Sequence, residues 1–268
     1  MIEVPAFDYE SKRWGASPIR PLPWYVQGLK LRRALDALDG ISGDVVDIGC
    51  GAGNVARAMA EARPDLRVHG VDISEGALEV ARRSAPKVDF HLAPAGVLPF
   101  ADGSMSAAFM FDVLEHLEDP AATLREIRRV LRPGGMFHIV LPVEVQPWTF
   151  YRFVSRLGWK AKLHHCGHIQ LFDAARFEAM AAAEGLPVRE VRWSFHWLYS
   201  LVDIGYFSFL EVRGPVGTSV EDYAAHGRGV AGLALRWIKD ALSTFGWYES
   251  RLLERVPAGT GHFTCIRT

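Results

Sequence analysis

Apolar residues along this chain alternate between short unbroken runs and longer stretches spaced three and four residues apart. Near the start, Leu29, Ala34, Leu35 and Leu38 recur at helical spacing, with Arg32 and Arg33 among them. The runs GDVVDIGC (43–50), LRVHGVDI (66–73), VDFHLA (88–93), AAFMFDVL (107–114) and MFHIVLP (136–142) then predict five short buried strands. The stretches between them predict helices: VARAMAEAR stopped by Pro64, GALEVARRSA, and residues 120–131. The last is well punctuated, with Asp119 as N-cap, Pro120 in the first turn and Arg132-Pro133-Gly134-Gly135 as its stop. Strands alternating with helices imply parallel βαβ units and an open sheet with helices on both faces.

After Pro142 the rhythm breaks. Residues 143–172 are aromatic and basic, and 173–185 predict a helix with Asp173 as N-cap and Phe172 and Phe177 placed as a hydrophobic staple. VREVRWSF (188–195) reads as a sixth strand and HFTCIRT (262–268) as a seventh, antiparallel one. The segment between them, about 65 residues, is far longer than an ordinary loop and predicts a folded insertion. On a helix, Arg152, Arg156 and Lys160 share one face, and Phe150, Phe153, Val154 and Leu157 the other. Residues 233–256 predict a long helix with a stripe through Leu235, Ile238, Leu242 and Phe245. The organisation expected is an N-terminal helical cap (1–40) on one domain (41–268), with lid segments at about 143–172 and 196–260.

Composition narrows the function classes. With 49% hydrophobic and 23% charged residues the chain has the material for a sizeable core. Thirty Lys+Arg against 31 Asp+Glu leave a net charge of -1, so no global positive field favours nucleic acid as a partner. Cys50, Cys166 and Cys265 lie far apart with no C-x-x-C pair, which fits a reducing cytosol better than a disulfide scaffold. The opening MIEVPAFDYESKRW is acidic and broken by Pro5, unlike a signal peptide, and no uncharged apolar run reaches the ~18 residues of a membrane span. A cytoplasmic protein is expected.

The richest chemistry lies in VVDIGCGAGN (45–54). Gly49, Gly51 and Gly53 sit where a strand turns into a helix, where missing side chains let a ligand approach the backbone. A dinucleotide site is the obvious competitor, but the third glycine follows the second by two residues, so the G-x-G-x-x-G frame fails. Asp47, ahead of the loop, suits a cationic amino group better than a pyrophosphate. Asp72, ending the second strand, can accept both hydroxyls of a ribose.

Taken with HGVDIS, LPFADGS, FDVLEHL and LRPGG, this segment resembles the class I S-adenosylmethionine-dependent methyltransferases. It is most similar to the branch of ubiquinone- and menaquinone-biosynthesis and small-molecule natural-product enzymes. The likeness covers roughly residues 40–142 and implies a Rossmann-like α/β fold with a seven-stranded sheet, a helical lid and S-adenosylmethionine as cofactor. It implies that Asp47 with Gly49, Cys50, Gly51 and Gly53 receives the methionine end, and that Asp72 binds the ribose. Ile73 would pack on adenine, and Phe111 and Asp112 would flank the sulfonium with His116 nearby. Two departures stand out. Ala93-Pro94-Ala95 replaces a frequent G-D-A triplet, leaving the backbone of Ala95 to serve adenine, and Ser106 replaces a frequent Asp.

A second candidate cluster is HHCGH, with His164, His165, Cys166 and His168. Four adjacent ligands rarely reach one tetrahedral centre, so no metal is expected. His165, His168 and His116 are instead candidates for the proton acceptor of a hydroxyl, since imidazole titrates near ~6.5. The aromatic segments, from Trp148, Phe150, Tyr151 and Trp159 to Trp193, Phe195, Trp197, Tyr199, Tyr206 and Phe207, suggest a lid over an apolar or aromatic small-molecule acceptor. Together with the basic residues of 152–160 they also suggest peripheral membrane contact. The expected reaction is methyl transfer to a hydroxyl, with transfer to nitrogen or carbon, or a non-methylating scaffold, as alternatives.

Overall fold

The computed structural model describes residues 26–213 and 230–268. Its strands are β1 (Asp44–Ile48), β2 (Arg67–Asp72), β3 (Asp89–Leu92), β4 (Met105–Phe111), β5 (Leu131–Pro142), β6 (Val188–Ser194) and β7 (Thr260–Ile266). They form one seven-stranded sheet in the order β3-β2-β1-β4-β5-β7-β6. β1 to β5 are parallel, and β7 lies antiparallel between β5 and β6. The strand order reverses between β1 and β4. In open sheets that reversal creates the crevice, outside the C-terminal strand ends, where ligands bind.

Burial on both faces explains why β1 and β4 read as continuous apolar runs. Val45, Val68 and Phe109 meet α1 (Val26–Ala37) and α2 (Asn54–Ala62) on one side, through Ala34, Leu38, Ala56 and Met59. Val46, Ile48, Phe137 and Ile139 meet α4 (Pro120–Val130) and α7 (Ala174–Ala183) on the other, through Leu124, Ile127, Phe177 and Ala181. α3 (Glu75–Ser84) is capped by Ser74, whose hydroxyl accepts from the Ala77 N–H; Asp119 caps α4 and Asp173 caps α7 in the same way. Each such cap contributes about 1 kcal/mol. Phe172 and Phe177 are both fully buried in one cluster, as a staple requires.

The structure departs from the sequence reading in three places. β5 begins at Leu131, so Arg132-Pro133-Gly134-Gly135 is strand rather than stop, with a slip in pairing register opposite Met105 and Ala107. Gly134 (φ 72) lets the backbone make that irregularity. Second, the segment 150–160 is not one helix. α5 (Phe150–Arg156) ends before Gly158 (φ 87), and α6 spans Ala161–Cys166. Lys160 therefore lies in the link, and Arg152 donates to the Val145 carbonyl instead of joining a basic face. Third, the long helix runs Val230–Leu252; call it α9. Its buried positions include Ser243, Gly246 and Ser250, while Phe245 is exposed; the side chains of Leu235 and Ile238 lie outside the described residues.

α8 (Trp197–Arg213) and α9 form the described part of the expected insertion, and residues 214–229 of it lie outside the described residues, as do residues 1–25 of the cap. α1 is stitched to the rest by buried Arg33, which donates to the carbonyls of Trp193 in β6 and Ser250 in α9. Among the described residues no helix is long and apolar enough to cross a membrane.

Candidate active site

The chain leaves β1 through Gly49, Gly51 and Gly53, all at positive φ, and enters α2. Val71 of β2 lashes this loop down by accepting from the N–H groups of Gly49 (2.7 Å) and Cys50 (3.0 Å). A Cβ at Gly49 would stand 2.4 Å from Val113 Cγ2, and one at Gly53 2.8 Å from Phe90 Cζ. Glycine is thus required here by both conformation and space. The Asp72 carboxylate accepts from Gly51 N–H (2.7 Å) on one oxygen and Ser74 N–H (2.9 Å) on the other, leaving lone pairs on each.

Asp47 is buried behind the loop, and its Oδ2 has no hydrogen-bond partner. Burial, helped by the Asp72 charge and opposed by the Ala56 N–H, pushes its carboxyl up to about 7. The Cys50 thiol is likewise pushed up by burial, which keeps it a neutral packing group. Ile73 is 53% exposed directly after Asp72, and the Ala93 N–H donates to the Asp72 carbonyl (3.0 Å), bringing Ala93-Pro94-Ala95 alongside. These groups fit S-adenosylmethionine: an orphaned carboxylate oxygen for its ammonium, lone pairs on Asp72 for ribose hydroxyls, and an open apolar face for adenine.

At the end of β4, half-buried Phe111 packs beside the α1–α2 core and Asp112 takes a left-handed conformation (φ 52). Lys30 of α1 donates to both Asp112 oxygens (2.6 and 2.9 Å) and sits 5.1 Å from the Phe195 ring centre. The next turn, Leu114–His116, is a single 3-10 turn. It carries Glu115, fully buried with no hydrogen-bond partner on either oxygen, and His116, whose Nδ1 donates to the Gly167 carbonyl (3.0 Å). Burial, reinforced by His168, lowers the His116 pKa to about 4, so this ring is neutral at pH 7.

His168 stands edge-on to His116, with ring centres 4.9 Å apart. Its Nδ1 donates to Glu144 (2.8 Å), which also receives Lys162 Nζ (3.3 Å). Lys162 continues to Asp203 (3.0 Å) on α8, where Tyr151 donates its hydroxyl. Burial works against the Glu144 charge, but Lys162 and His168 outweigh it and hold the carboxyl down to about 2. Burial also opposes a charged His168, and the Glu144 bond with the neighbouring carboxylates raises its pKa nonetheless. For Glu115 burial dominates and the pKa is raised.

The fold therefore splits the HHCGH cluster. His164 and His165 turn to Glu211 of α8 (2.7 and 3.0 Å), with His165 stacked on Phe207, and His168 alone turns inward to His116. Sequence reasoning passed over Lys30, Glu115, Glu144 and Lys162. Glu115 had a signal, its place beside His116 in FDVLEHL; Lys30 and Lys162 look like ordinary helix lysines.

With this geometry established, comparison with known proteins shows that residues 46–139 match the methyltransferase domain family. This segment is a methyltransferase domain. The ubiquinone biosynthesis O-methyltransferase of Alkalilimnicola ehrlichii is 32% identical over 145 residues, 52% of this chain and 57% of that protein. The ubiquinone/menaquinone biosynthesis C-methyltransferase of Desulfotalea psychrophila is 34% identical over 122 residues, 44% of this chain and 50% of that protein. The chain spans about half the length of such curated relatives. Among solved structures, geranyl diphosphate C-methyltransferase from Streptomyces coelicolor A3(2) superposes with a TM-score of 0.56 at 16% identity, over 90% of this chain and 76% of that one. That likeness extends the methyltransferase fold beyond the matched domain, through β6 and β7.

Proposed function

We propose that this protein transfers the methyl group of S-adenosylmethionine to a small, largely apolar acceptor, at a hydroxyl oxygen. One arrangement carries the reading. Asp47, the glycine loop and Asp72 close the ends of β1 and β2, while Asp112, Glu115, His116 and His168 gather beyond β4 and β5 on the same edge of the sheet. Bound there, S-adenosylmethionine supplies an electrophilic methyl group on a sulfonium. The rest falls to this chain. Asp47 holds the ammonium, Asp72 the ribose, Ile73 and Ala95 the adenine, and Phe111 with Asp112 borders the reacting end. His116 and His168 form the polar wall against which the acceptor hydroxyl is set, and His165 joins them only if its bond to Glu211 opens. Alignment of this kind supplies about 7–11 kcal/mol of the barrier, so proton removal has a secondary share.

The apolar acceptor is supported by surface left uncovered on and beside α5 and on α8. Trp148 is 97% exposed, and Phe153, Leu157, Trp197 and Leu201 are exposed as well. Peripheral contact with a membrane holding such an acceptor belongs to the same reading and is tested by sedimentation with anionic vesicles. The decisive assay follows S-adenosylhomocysteine release as phenolic, isoprenoid and amine compounds are added. Phenols or isoprenoid alcohols should be methylated on oxygen, and turnover confined to polar amines overturns the reading. Transfer to carbon is the second reading, favoured by the carbon-methylating relative and neighbour; the methylated atom, located by NMR, separates the two.

A further inference from the structure

We propose that Glu115, His116 and His168 form a binding site for a divalent transition-metal ion. Each offers one ligand atom, and these atoms all lie within 4.8 Å of one another. Glu115 Oε1 is 3.9 Å from His116 Nε2 and 3.9 Å from His168 Nε2, too far for hydrogen bonds. Around an ion with bonds near ~2.1 Å, tetrahedral ligands stand ~3.4 Å apart, so the two Glu115 pairs need to contract by about half an ångström and the remaining pair by at most ~1.4 Å.

Two further observations point to an ion. Glu115 is almost wholly buried, yet neither carboxylate oxygen has a hydrogen-bond partner, a costly arrangement for a residue that nothing coordinates. The second is the outer ring of contacts. His168 Nδ1 donates to Glu144, and His116 Nδ1 donates to the Gly167 carbonyl. Ligating histidines are characteristically held this way, because a fixed proton on one nitrogen presents the lone pair of the other to the metal. Lys162 and Asp203 in turn fix Glu144. Two imidazoles and one carboxylate suit zinc, manganese or iron(II) better than magnesium or calcium, which prefer all-oxygen shells. The expectation of no metal, drawn at the HHCGH run, did not reach this set: of His164, His165, Cys166 and His168, the fold contributes only His168.

The inference concerns an ion and goes beyond methyl transfer, so its test uses neither S-adenosylmethionine nor acceptor. Chelator-stripped protein is titrated calorimetrically with zinc chloride, manganese chloride and magnesium chloride, and cobalt(II) absorption reports the ligand set. One equivalent of zinc or manganese should bind, with magnesium much weaker. Glu115→Gln and His168→Gln should each lose at least tenfold in affinity, and Glu144→Gln, which touches only a ligand, tenfold to a hundredfold. The His164→Ala/His165→Ala double variant should bind as the parent does. Circular dichroism checks each fold, and Glu115→Gln in particular should fold because it replaces a buried carboxyl without hydrogen-bond partners by a neutral group of the same size. Absence of zinc and manganese binding in the parent overturns the site. So does binding that survives Glu115→Gln and His168→Gln but is lost in the His164→Ala/His165→Ala protein.

Discussion

Asp47 faces two demands of opposite sign. In the free protein its carboxyl sits at about 7 instead of 3.8, so the folded state holds this proton more tightly than the unfolded chain. Its contribution to stability is therefore fully present below pH 3.8 and is lost as pH rises through 7. Binding of an ammonium reverses the preference, because only the carboxylate attracts it. Affinity for S-adenosylhomocysteine should accordingly strengthen as pH rises from 5.5 to about 7.5, and binding should release a proton. Calorimetry in buffers of different ionisation heat reads that proton directly. Asp47→Asn should bind about 10- to 100-fold more weakly and lose the pH dependence, given one charged hydrogen bond worth about 1.5–3 kcal/mol. Asp72→Ala should cost roughly 2–4 kcal/mol of the same affinity, since it would remove the two charge-assisted ribose bonds proposed for that carboxylate. At Gly49, alanine meets both a positive φ and Val113. Gly49→Ala should lower stability by about 2–4 kcal/mol, and adding Val113→Ala should restore the steric part only. Denaturant titration of the single and double variants separates the two costs.

Among the elements, α1 is the one whose importance exceeds its sequence signal. Leu29, Ala34 and Leu38 announce an amphipathic helix, and nothing in that pattern says where it docks. The fold puts Arg33 under two backbone carbonyls and Lys30 on Asp112, so one helix both ties β6 to α9 and reaches the end of β4. Burial lowers the Arg33 pKa to about 10 without discharging it at neutral pH. Arg33→Met should destabilise by about 2–3 kcal/mol through the two carbonyls left unpaired, seen as a lower denaturation midpoint with unchanged slope. The strands and the caps at Asp119 and Asp173 were legible because their causes are local: each aspartate bonds an N–H three residues on, as Ser74 also does without having been read from the sequence. The break in the helix over 150–160 was not, because Gly158 weighs little against an apolar stripe until φ is known.

Across the whole molecule, the grouping of Asp47, the glycine loop and Asp72 proposed for the cofactor could be read from the sequence and the grouping proposed for the acceptor could not, for a physical reason. Asp47, Gly49 and Asp72 are brought together by two adjacent parallel strands, so their spacing along the chain carries their spacing in space. His116, His168 and Glu144 meet across a turn, a short helix and a strand end, and no periodicity encodes that meeting. The HHCGH run accordingly promised a compact cluster, while His164 and His165 bond Glu211 and His168 bonds buried Glu144.

The antiparallel β7 also dictates when the sheet can be completed during synthesis. Among the described residues β6 pairs only with β7, which follows it in the chain by the whole of α8 and α9. At about 5–20 residues per second, a ribosome leaves β6 without its neighbour, and the β5 edge open, for several seconds. Throughout that interval Trp193 and Phe137 lack Phe263 and Cys265 to pack against. An exposed strand edge beside bare aromatic surface is what chaperones bind and what aggregates when they fail. Chains stalled before Thr260 should therefore be protease-sensitive through β6 while β1 to β4 are already protected.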